Sequence, residues 1–153
     1  MPPNESRDSR SPSPARLTGA ILAGARQAPD SHEFVNTVMM LRQGFVRTRF
    51  AEPNTTIGVV ATNARLTREQ AQKVAQMGHN ALARSIRPVH TLFDGDVVFV
   101  LAHPEVSADL HIVGVLAEAA LEQAILRAVK SASGLGVVPA YQDIQPGGGG
   151  ARG

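Results

Sequence analysis

Thr55 and Thr56 stand at the head of the run TIGVVAT (residues 56–62), directly behind Glu52-Pro53-Asn54. A Thr at the mouth of a strand ordinarily serves as a β-former whose hydroxyl meets a neighbouring amide. A second chemistry opens if the bond between Asn54 and Thr55 is cut. Thr55 then carries a free α-amine, with a pKa near ~8, that can act as the base for its own hydroxyl. Such a nucleophile needs neither Cys nor His. Farther along, Asp94-Gly95-Asp96 sets two carboxylates two positions apart, just ahead of the apolar run VVFVLA (residues 97–102). Taken by itself, that triplet reads as a turn with solvated acids.

The remaining reactive side chains point less sharply. His32, His79, His90, His103 and His111 show no HExxH or comparable ligand spacing, so no metal site and no cofactor is expected. His90, inside RPVHT, reads either as a satisfied loop histidine or as a hydrogen-bonding group near the acidic turn. Gly134-Leu135-Gly136 resembles half a phosphate loop but precedes a strand candidate and not a helix. The absence of cysteine excludes a disulfide framework, a thiolate nucleophile and a Cys-ligated zinc, and fits a reducing, cytoplasmic setting.

These groups need a scaffold, and 153 residues allow one domain with a real core. Residues 1–15 are rich in Ser, Pro, Arg and Asp and are expected to be a disordered tail. Residues 146–153 read as a flexible Gly-rich end. LTGAILAGAR (17–26) reads as a short strand, whereas 35–50 is open between helix and loop because Gly44 interrupts the pattern. Residues 56–62 predict a buried strand ending at Asn63. Thr67-Arg68-Glu69-Gln70 has the form of a capping box, and the apolar spacing behind it predicts a helix that Pro88 stops. Residues 97–102 predict a second strand. A helix over 109–131, carrying Glu118, Glu122, Arg127 and Lys130 on its outer side, leads to a last strand candidate at 136–141. The order predicts an α/β layer arrangement with both main strands covered on two faces.

Charge narrows the partners. The net charge is +2, with seven basic against five acidic residues before Thr55 and eight against eight from there on. No clustered basic stripe and few aromatics are available, which argues against nucleic acid. No apolar run approaches the ~18 residues of a membrane span, which argues against a membrane protein.

The collinear stretch from Asn54-Thr55-Thr56 through RPVHT and FDGD to Ala102 resembles the second subunit of the DmpA-like L-aminopeptidases/D-esterases, in particular the nylon-oligomer hydrolase branch. Residues 17–26 resemble the end of that family's first subunit. The resemblance implies a four-layer αββα sandwich and self-cleavage between Asn54 and Thr55, with Thr55 as nucleophile on peptide or ω-amino-acid oligomer amides. It also implies that Asp94 and Asp96 orient the nucleophile and its amine. A carboxylate beside an ammonium would hold it in place and favour its charged form. Thr56 would be second in the processed chain and lack the α-amine.

On that pattern residues 16–54 are a remnant of the first subunit and 55–145 form the nucleophile domain. Relatives of this type draw a Gly-rich half-sheet, a Lys or Tyr and an oxyanion Asn from a longer first subunit. The 54 residues before the junction contain no Lys, and Asn4 lies in low-complexity sequence. The expected partners are a peptide or small amide substrate, a first-subunit chain and further copies in a homo-oligomer. Alone, the chain is expected to be weakly active or inactive, with apolar surface left bare. The alternative is a catalytically inactive fragment that serves as a scaffold or partner-bound subunit.

Overall fold

The computed structural model describes residues 21–28, 31–44, 55–136 and 138–144. Its centre is a strand–helix–strand unit. β1 (Ile57–Ala64) and β2 (Val97–Val106) pair in parallel, with Ile57 opposite Val97 and Ala61 opposite Leu101. A register shift between Thr62 and Ala64 loosens the far end of the pair.

α2 (Arg68–Ser85) connects the strands and α3 (Leu110–Ser131) follows β2. The capping box at the start of α2 forms as the sequence predicts. Thr67 Oγ1 accepts from the Gln70 amide at 3.2 Å, and Gln70 Oε1 accepts from the Thr67 amide at 2.9 Å. Glu69 in the same turn has its carboxyl held below the usual range by its backbone hydrogen bond and then by Thr67. Its contribution to the helix is present above the unfolded-state value and is lost as pH falls through the lowered one. At the start of α3, Asp109 caps the His111 and Ile112 amides.

Both helices lie on one face of the sheet. Val60, Ala64 and Val98 meet Val74, Ala81 and Leu82 of α2 and Val113, Ala117 and Leu121 of α3 in a single core. Gly78 makes this closeness possible. A Cβ there would come within 2.9 Å of Leu121 Cδ1 and 3.1 Å of Val98 Cγ1. Gly78→Ala should therefore destabilise by roughly 1–3 kcal/mol, despite alanine's better helix propensity. A denaturant midpoint equal to the parent's would refute that packing argument.

Several expectations need correction. Residues 21–26 form no strand, only an isolated antiparallel bridge between Arg26 and Phe34. The open region resolves into a short helix, α1 (Thr37–Arg42), capped by the Asn36 side chain. Residues 45–50, with the expected terminal tails, lie outside the described residues. β1 runs past Asn63, β2 continues through Pro104 to Val106, and α2 ends three residues before Pro88. The strand candidate at 136–141 is instead a bridge between Leu135 and Val138 followed by α4 (Tyr141–Ile144).

Glu118 is also not on the outer side. It is 8% exposed, pairs with Arg84 and accepts from Asn80 Nδ2 at 3.0 Å, joining α2 to α3. Because Arg84 is itself largely exposed, Glu118→Ala should cost only about 1–2 kcal/mol. Glu118→Gln, which still accepts from Asn80, should cost less. Equal urea midpoints for all three proteins would show that the pair does not tie the helices together.

The strands are covered on one face and not two among the described residues. Ile57 (66% exposed), Val59, Phe99 and Leu101 (63%) alternate with the buried set and leave an apolar sheet surface open. Ile112, Val115 and Leu116 form a second bare apolar patch on α3. Among the described residues no helix is long and apolar enough to cross a membrane.

Candidate active site

Parallel pairing brings the leading ends of β1 and β2 together, and with them residues forty positions apart. Because Ile57 stands opposite Val97, the residues just ahead of each, Thr56 and Asp96, become neighbours. The Thr56 amide donates to Asp96 Oδ1 at 2.9 Å, and the Val97 amide donates to the Thr56 carbonyl at 2.9 Å. Thr55 is thereby held at the exposed mouth of the strand. Its hydroxyl lies against Gly95: a Cβ built there would come within 2.9 Å of Thr55 Oγ1.

The two acids do different work. Asp94 closes its own turn, where its Oδ2 accepts from the Thr91 amide at 2.7 Å and its amide donates to the Thr91 carbonyl at 3.2 Å. Thr91 Oγ1 accepts from the Phe93 amide at 3.3 Å and completes that turn. Asp96, with a side chain only 6% exposed, faces inward. While Oδ1 takes the Thr56 amide, Oδ2 lies 3.2 Å from His90 Nδ1. The turn reading of the sequence thus describes Asp94, and solvated acid does not describe Asp96.

His90 is the residue whose place the sequence left open. It adopts φ 54°, a left-handed conformation uncommon outside glycine, and its ring lies 5.1 Å from that of His79 on α2 at an interplanar angle of 54°. Gly95 and His79 carried no usable signal, because only the tertiary approach of Thr55 and of α2 gives either one a partner. Among the described residues no three of His, Asp or Glu converge to hold a metal ion. Asn54, the other half of the expected cleavage site, lies outside the described residues.

A groove of about 1120 Å³ passes the same corner. It runs between residues 21–25 and 35–42 on one side and Thr56, Ile57 and the adjoining ends of α2 and α3 on the other. Arg42, Arg84, Arg87 and Glu122 supply its charged groups.

A parallel βαβ frame thus sets a threonine at a strand mouth beside an inward carboxylate. The model of peptidase family S58 matches residues 13–139, and the chain belongs to that family. It is 41% identical over 109 aligned positions to an uncharacterized aminopeptidase of Mycobacterium leprae, covering 61% of this chain and 30% of that protein. An uncharacterized aminopeptidase of Mycobacterium tuberculosis is 38% identical over the same length, with 32% of it covered. A 6-aminohexanoate-oligomer endohydrolase of Kocuria is 36% identical over 53 positions, covering 35% of this chain and 15% of the endohydrolase. The chain thus spans about a third of the length of the mycobacterial relatives it matches.

Proposed function

We propose that this chain carries the nucleophile of a self-processing amidohydrolase acting on peptide or ω-amino-acid oligomer amides. The observation that carries the reading is the seat of Thr55, whose hydroxyl rests on Gly95 while the next amide is tied to the inward-facing carboxylate of Asp96. In processing, Thr55 Oγ would attack the Asn54 carbonyl and pass its proton to the Thr55 nitrogen, the peptide bond would break as the ester forms and so free the Thr55 amine, and water would then hydrolyse that ester to release Asn54 as a carboxylate and restore the Thr55 hydroxyl. In turnover the amine would accept the hydroxyl proton and pass it to the leaving amine of the substrate, after which water would release the acyl group. Asp96 would orient this end through the Thr56 amide, and Asp94 through the turn that carries Gly95 and Asp96. The groove beside Thr56, about 1120 Å³, has the volume to take a small amide substrate.

The bare sheet face supports the four-layer αββα arrangement, with a second sheet contributed by a first-subunit chain. The patch on α3 supports assembly of further copies. A cytoplasmic setting is in keeping with a chain free of cysteine. The same bare face favours a second reading, a non-catalytic subunit that serves as a scaffold for its partner. Intact mass of the freshly purified chain separates the two. Fragments 1–54 and 55–153 support the hydrolase, and a single uncut species after prolonged incubation supports the scaffold.

A further inference from the structure

We infer that His90 is a positioning residue that fixes the Thr55–Thr56 backbone through Asp96. Its consequence for catalysis rests on Thr55 being the nucleophile, but the positioning itself does not. An aspartate with one oxygen on a backbone amide can still swing about its own side-chain bonds unless the other oxygen is held. Here Oδ1 accepts from the Thr56 amide at 2.9 Å and Oδ2 lies 3.2 Å from His90 Nδ1. A carboxylate offers only acceptors, so Nδ1 must carry the proton and donate. The imidazole is in turn set by its own backbone and by a neighbour. Residue 90 is held at φ 54°, and the His79 ring lies against it from α2. The order of support is His79, His90, Asp96, Thr56 amide, Thr55, and it links the helix layer to the strand mouth.

Two substitutions in the full chain separate the side-chain donor from the backbone conformation. Glycine adopts the left-handed conformation freely but has no donor, whereas asparagine tolerates it and places an amide N–H₂ where Nδ1 now stands. The readouts are hydrogen exchange at the Thr56 amide, with the amide of buried Val74 inside α2 as reference for folding, and the rate of cleavage before Thr55 by intact mass. His90→Gly should speed exchange at Thr56 and slow cleavage by roughly ten- to a hundredfold, the range for losing a hydrogen bond to a charged group. His90→Asn should stay close to the parent in both, with Val74 unchanged throughout.

Equal Thr56 exchange in the parent, His90→Gly and His90→Asn overturns the inference, and so does equal acceleration in both variants, since the donor would then be immaterial. If the parent is not cut, the proposed hydrolase fails, and Thr56 exchange still decides the role of His90 by the same comparison.

Discussion

On the hydrolase reading, Thr55→Ala should leave the purified chain as one species under conditions where the parent yields fragments 1–54 and 55–153, however slowly. The argument turns on which atoms the substitution removes. Alanine keeps the backbone and the Thr56 amide that Asp96 holds at 2.9 Å, so the strand mouth should remain in place. Only the hydroxyl and its methyl are lost, and with the hydroxyl goes the attacking atom. Losing a nucleophile of this kind costs as much as ~10⁶ in rate, far below detection over days. Thr55→Ser retains the hydroxyl and should still be cut. Thr56→Val tests the neighbouring hydroxyl: it keeps the amide donor, and processing should continue. Cleavage before residue 55 that persists in Thr55→Ala would assign the cut to a contaminating protease and remove Thr55 from the mechanism.

Gly95→Ala should have the second-largest effect, through contact alone. The three atoms nearest a Cβ at 95 all belong to Thr55, at 2.9 Å from Oγ1 and 3.8 Å from Cγ2, so the hydroxyl must turn away or the loop must shift. The substitution touches no core side chain, and surface changes of this sort usually stay within about 0.5 kcal/mol of the parent in stability. A displacement of about 1 Å at a reacting atom can cost on the order of a hundredfold in rate. The expected result is an unchanged urea midpoint with processing slowed by about that factor. Parent-like processing would mean that the seat of the hydroxyl on Gly95 has no bearing on reactivity. A large fall in the midpoint would mean that the loop itself is part of the fold's stability.

The regular elements were largely legible in the sequence because their signals are local. The Thr67–Gln70 box, the three- and four-residue spacing behind it and the β-branched run after Thr55 all act within one or two turns of chain. The ends of the elements were less legible. β2 runs on through Pro104 where the apolar pattern stops at Ala102, because pairing with the partner strand, and not composition, sustains it. Residues 136–141 read as a short strand, but among the described residues there is a single bridge, Leu135 with Val138, and no partner strand lies alongside.

By itself the sequence determined the order of strand, helix and strand, the capped start of α2, and the reactive candidates Thr55, Asp94 and Asp96 on resemblance. Only the tertiary structure decided how those candidates relate. Parallel register put Thr56 beside Asp96, turned Asp94 into its own loop, and brought Gly95 under a hydroxyl forty residues earlier. It also drew Glu118 inside, where the crossing of α2 and α3 supplies Arg84 and Asn80, and set His90 behind the acid. The physical reason is common to all of these. A hydrogen bond or a steric contact across forty residues depends on register and helix crossing, which arise from packing a core and leave no periodic trace along the chain.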